Sequence, residues 1–185
     1  TARTAAGLFP DGKVTVLDTR WLSMGFGFMA LRAAEMAADG ARREAIIRAV
    51  EAMRARTHLF ASLATLKYLA LSGRVGQVAA GLAAVMDMTP VLTVRDGKLD
   101  MFEKVRTQKK SWERAIDMLA ARAGGRPAER MAVLHVNAPE DARAFEARLR
   151  EKVDCPAEAV CAELTPGLSV HSGSGLVGAV IVTAA

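Results

Sequence analysis

Soft metal ligands and reactive thiols are scarce in this chain. Its only cysteines, Cys155 and Cys161, stand close together with none of the three histidines at ligand spacing from them. That excludes a zinc ribbon and a disulfide framework and points to a reduced, cytoplasmic protein without a metal. Aromatic residues make up 5% of the chain, and 20 acidic residues are interspersed among 25 basic ones. The net charge of +5 therefore admits anionic ligands without building the basic, stacking-rich face that nucleic acid demands. No uninterrupted apolar run reaches the ~18 residues of a membrane span. Thr1-Ala2-Arg3-Thr4 opens no signal peptide. What the chain does have is hydrophobic residues, 51% of 185, enough for a sizeable core.

In chain order, Pro10-Asp11-Gly12 is a turn and residues 13–19 have the pattern of a short apolar strand ending in Asp18-Thr19. Ser23 is placed to cap a helix that closes at Asp39-Gly40, and residues 41–55 form an amphipathic helix with Ile46, Ile47, Val50 and Met53 on one face. Residues 56–62 are a strand candidate. Two apolar segments, 63–71 and 77–86, then meet at Ser72-Gly73-Arg74-Val75-Gly76, which reads as a tight helix-to-helix corner projecting Arg74. Strands on either side of Asp96-Gly97 form a hairpin, because a type I′ turn needs positive φ at both central residues. A helix over 111–123, a strand over 131–136 with a structural His135, a helix after Pro139, and strands over 159–164 and 177–183 complete the pattern.

Three spots can meet an anion. Arg74 lies beside apolar helices, which suits an acidic head on an oily tail, and it suits an ordinary solvated corner as well. His171-Ser172-Gly173-Ser174-Gly175 is a loop of amides and hydroxyls before the last strand, equally readable as a common turn. It is neither a Walker loop nor a dinucleotide fingerprint, since no Gly-Lys-Ser/Thr follows and the next element is a strand. Lys104-Val105-Arg106-Thr107-Gln108-Lys109-Lys110 either docks on phosphate or an acidic surface, or is a solvated helix start.

Taken together, these motifs resemble the DegV family. Asp18-Thr19 with Ser23-Met24-Gly25-Phe26-Gly27, Arg56-Thr57, the Thr65 to Gly76 stretch, Pro90-Val91-Leu92 with Asp96-Gly97, the 104–110 cluster and the 171–175 loop occur in that family's order along the whole chain. The resemblance implies an α/β, two-domain fold that binds a long-chain fatty acid, tail buried and carboxylate near the domain interface. It implies no cofactor and no phosphotransfer machinery of its own. A separate fatty acid kinase subunit would phosphorylate the presented carboxylate for phospholipid synthesis. Residues 1–55 would be the C-terminal part of an incomplete first, parallel-sheet domain, and 56–185 a complete mixed α/β second domain. The family's preceding region of about a hundred residues, within a domain of usual size, carries a threonine and a serine motif of the carboxylate site that this sequence does not show.

Carried over by residue, Ser72-Gly73-Arg74-Val75-Gly76 is similar to the family's Gly-Gly-Arg-Ile-Gly corner, and His171-Ser172-Gly173-Ser174-Gly175 to its His-Thr-Gly-Pro-Gly loop. Arg74, His171 and Ser172 then resemble the carboxylate ligands, and Arg106 and Lys109 the contacts to partner or phosphate. Leu66, Leu69, Val78, Leu82 and Met86 are the acyl-pocket candidates. Serine in place of proline at 174 is the departure that bears most on the loop. Burying an acyl tail at ~0.8 kcal/mol per methylene gives ample gross affinity, so the polar end mainly fixes orientation. Membrane contact would be transient and confined to the surface. The alternative is an acyl-ester hydrolase or transferase with Ser172 or Ser174 as nucleophile and His171 as base. Adjacent residues rarely present that geometry, and the loop lacks a strand-to-helix nucleophile elbow. A nucleic-acid module built on 104–114 is disfavoured, since no recognition helix stands out.

Overall fold

The protein is described by a computed structural model covering residues 1–72 and 88–185. Six strands, β1 (Thr57–Ser62), β2 (Thr89–Arg95), β3 (Lys98–Val105), β4 (Ala128–His135), β5 (Val160–Glu163) and β6 (Val177–Thr183), form one sheet in the order β3-β2-β1-β6-β4-β5. Only the β4–β5 pair is parallel; the other four neighbouring pairs are antiparallel. That pair needs a crossover, supplied by a helix over Pro139–Arg150. The sequence is therefore of mixed α/β type.

Alternation along the strands divides the core in two. One face of the sheet presents Leu59, Ala61, Leu92, Leu134 and Val180 to α2 (Ser23–Ala38) and α3 (Arg43–Arg56), which contribute Phe28, Met29, Val50 and Met53. The other face presents Phe60, Val91, Met131, Ala179 and Ile181 to α5 (Gln108–Ala123) and α6 (Pro139–Arg150). Shorter helices, α1 (Ala2–Ala6), α4 (Lys67–Leu71) and α7 (Pro166–Ser172), complete the described elements. The result is a helix–sheet–helix sandwich, each layer of helices burying one apolar face. Ion pairs Arg130–Glu35 at 2.6 Å and Arg56–Glu129 at 3.1 Å tie α2 and α3 to β4.

Local signals account for many boundaries. Asp96 and Gly97 take φ of 51° and 77°, as a two-residue type I′ connection requires. The Thr107 side chain accepts from the Lys110 amide and caps α5, which starts three residues before the expected Ser111.

Four expectations are corrected. Residues 13–19 form no strand: nothing pairs with them among the described residues, and Val14 and Val16 are exposed. Side chains engage this stretch singly instead, Arg54 donating to the Asp18 carbonyl and Arg43 to that of Gly12 just before it. Ser23 does not cap α2; Leu22 holds that position, and Ser23 itself has a φ of 50°. The first apolar segment, 63–71, is helical only over Lys67–Leu71, since the Leu63 amide still donates to the Pro90 carbonyl beside the sheet and Leu63 is buried there with Leu66 before the helix starts. His171 and Ser172 stand in the last turn of α7 rather than in a loop, because Thr165 and Pro166 start a short helix that runs up to Gly173.

Candidate functional site

Register collects the candidate residues at one end of the sheet. Ser62 lies opposite Val91 and Val177, His135 opposite Val177 and Glu163, and Thr89 opposite Val105. Beyond that row lie α4, α7 and Arg106. Ser72 and Met88 are the described residues on either side of 73–87 in the chain. His135 is buried in the row, its Nδ1 3.5 Å from the Ala138 amide at the start of α6.

A cavity of about 320 Å³ opens behind it, on the sheet face covered by α2, α4 and α7. Nine of its lining residues are leucines, including Leu59, Leu69, Leu92, Leu134 and Leu176, against three polar side chains, Ser23, His171 and Ser172. This is the make-up of a small-molecule site: an apolar bag with a few convergent polar groups, near the low end of the usual ~300–1,000 Å³ range. His171 Nδ1 is buried and has no hydrogen-bond partner among the described residues. Ser172 Oγ is held only weakly, 3.4 Å from the Ser169 carbonyl. The first intrahelical bond of α2 is Phe26 N–H to the Leu22 carbonyl, so the amides of Ser23, Met24 and Gly25 have no acceptor within their helix. A sixteen-residue helix thus directs its positive end toward the side of the cavity where Ser23 sits. Gly25 itself is a packing residue, because a Cβ there would lie 2.9 Å from the Trp21 ring.

A larger cleft of about 710 Å³ lies between α2 and the β4–β5 edge. It is the poorer candidate for an apolar ligand, since Arg56 and Arg130 in its lining are already engaged by Glu129 and Glu35. Among the described residues no group of three or more His, Cys, Asp or Glu side chains is placed to hold a metal ion.

Of the sequence candidates, His171, Ser172 and Leu69 line the cavity together, and Leu66 is buried in the adjoining core. Arg74, Val78, Leu82 and Met86 lie outside the described residues. Arg106 and Lys109 are exposed, the first just before α5 and the second on its first turn. Cations there oppose the helix dipole, so no folding advantage explains them. No hydrogen bond joins His171 to Ser172 or Ser174 among the described residues; Ser174 Oγ lies 3.4 Å from Asn137 Nδ2 instead. Sequence reading missed Ala61, Leu92 and Leu134, whose alternation marked a buried face but not which part of it stays open.

The profile of the family described as "Uncharacterised protein, DegV family" matches residues 1–184. The chain belongs to the DegV family. A DegV domain-containing protein of Mycobacterium bovis is 38% identical over 175 residues, covering 95% of this chain and 61% of its own length. The DegV family protein Cg2579 of Corynebacterium glutamicum superposes with a TM-score of 0.92 at 30% identity, over 100% of this chain and 69% of that one. A DegV family protein of Thermus thermophilus, whose structure is described as showing fatty acid binding, gives a TM-score of 0.90 at 33% identity, over 99% of this chain and 65% of that one. The chain spans about three fifths of the length of the curated DegV relatives it matches. No described helix is long and apolar enough to cross a membrane.

Proposed function

We propose that this DegV chain binds a long-chain fatty acid, with the acyl tail in the leucine-lined cavity and the carboxylate at His171, Ser172 and Arg74. The observation that carries this reading is the cavity itself: an apolar interior whose lining includes a buried imidazole nitrogen with no partner among the described residues. An alkyl chain satisfies the leucines, and a carboxylate oxygen satisfies His171, while the end of α2 adds favourable potential. Arg74, two residues past Ser72, supplies the cation that the resemblance assigns to it. In the same reading residues 1–55 belong to the first DegV domain and 56–185 to the second. The protein acts as a cytoplasmic carrier rather than an enzyme. It presents the carboxylate to a fatty acid kinase subunit through the exposed Arg106 and Lys109.

Binding of oleate and of oleyl alcohol to wild type, Arg74→Ala and His171→Ala tests the polar end. Both variants weaken the acid roughly tenfold or more and the alcohol much less, since a charge-assisted hydrogen bond is worth ~1.5–3 kcal/mol. Equal losses for acid and alcohol would remove the assigned roles.

A further inference from the structure

The strand register defines a row across the whole sheet on the cavity side. Ala61 of β1 stands opposite Leu92 of β2 and Gly178 of β6. Leu92 continues to Met101 of β3, and Gly178 continues to Leu134 of β4 and from there to Ala162 of β5. Residues directly opposite one another share a face. The row therefore reads Met101, Leu92, Ala61, Gly178, Leu134, Ala162, and its two central strands carry its smallest pair. Ala61, Leu92 and Leu134 all line the cavity. Gly178 admits nothing larger, because a Cβ there would lie 2.5 Å from the Ala61 Cβ and 2.6 Å from the Phe60 carbonyl oxygen.

We infer that Ala61 and Gly178 form the floor over which the ligand's alkyl chain crosses the two central strands, and that the side chain at 61 sets the chain length accepted. Leu92 and Leu99 line the cavity on one side of this low point, and Leu134 and Leu164 on the other. A ligand filling both sides has to pass over Ala61, and a longer side chain there divides the space in two. From β3 to β5 the sheet is five steps of ~4.8 Å, roughly 24 Å, on the length scale of a long-chain acid lying across the strands. An extended alkyl chain clears a floor of one methyl group and one hydrogen, and a larger side chain at 61 obstructs it.

This inference rests on the fatty-acid reading, and chain-length profiling separates the two. Octanoate, dodecanoate, hexadecanoate and octadecanoate are titrated against the full-length protein, Ala61→Val and Ala61→Ser, with thermal unfolding recorded for each. The wild type prefers the long acids. Ala61→Val loses hexadecanoate and octadecanoate by roughly tenfold or more and keeps its affinity for octanoate. Ala61→Ser, which adds a single oxygen and keeps the fold intact, weakens long acids more than short ones. A folded variant with an unchanged profile, or one weakened equally at every length, overturns the assignment of the floor while leaving fatty-acid binding in place. A wild type that takes up none of the four acids overturns the fatty-acid reading itself.

Discussion

The Tyr68 ring of α4 closes directly over Gly173 at the end of α7: a Cβ on Gly173 would lie 2.4 Å from Tyr68 Cδ2. Gly173 also holds a backbone conformation, φ 74° and ψ 172°, that is close to exclusive to glycine. Two independent constraints thus fix the residue next to Ser172. Gly173→Ala is expected to destabilise the protein by ~1–3 kcal/mol and, by moving α7, to weaken oleate binding. Thermal unfolding and a binding titration check both; wild-type values in each would mean that the ring yields and α7 stays in place.

Under the opposite face of the sheet, the Ser111 hydroxyl donates to Ser62 Oγ across 2.7 Å, with both residues fully buried. This pair anchors the start of α5, and with it Lys109, to the central strand. Ser111→Ala leaves a buried hydroxyl short of its donor and should cost ~1–3 kcal/mol. Removing both hydroxyls leaves no unpaired group, so the double variant should lose less than the two single losses added together. Urea denaturation of the four proteins gives the coupling; strict additivity would show that the two hydroxyls act separately.

His58 supplies a pH dependence. Burial, followed by the positive charges of Arg122 and Arg126, pushes its imidazole down from 6.5 to about 4. Between those values the unfolded chain binds a proton that the folded chain refuses. Stability from this group is therefore complete above pH 6.5, falls as the pH drops, and levels off below about pH 4. The full difference corresponds to ~3 kcal/mol, and partial solvent screening of a half-buried group reduces it to ~1–2 kcal/mol. His58→Gln should flatten that part of the curve relative to wild type, as read by urea midpoints at successive pH values. Parallel curves for the two proteins would refute the assignment.

How far the sequence disclosed this arrangement depended on how local each signal was. Asp96-Gly97 specified its hairpin because the two φ angles are a property of those residues alone. The continuous apolar run over 177–183 marked the last strand, every position of which is buried. Residues 13–19 carried the same kind of pattern and failed, since a strand exists only through a partner and none lies beside them among the described residues. In α7 the glycines and serines of 171–175 outweighed Thr165 and Pro166, although a capping threonine before a proline is a helix start. His171 and Ser172 were legible as polar donors. The floor at Ala61 and Gly178 was not, because it arises from pairing across more than a hundred residues of chain.

In the proposed reading, the exposed cations at the start of α5 serve presentation and not binding. Exchanging Arg106 and Lys109 for glutamate reverses the local charge without touching the cavity. Oleate affinity should stay within about twofold, since screened surface charges contribute little at a distance. Phosphorylation of the bound acid by a fatty acid kinase subunit should fall steeply. Unchanged phosphorylation by the double variant would place the partner surface elsewhere.

The most direct measurement is native mass spectrometry of the full-length protein purified from bacteria, followed by delipidation and re-exposure to oleate. The account predicts an adduct with the mass of one long-chain fatty acid, lost on delipidation and regained with oleate. A protein that arrives free of ligand and takes up no oleate would contradict it.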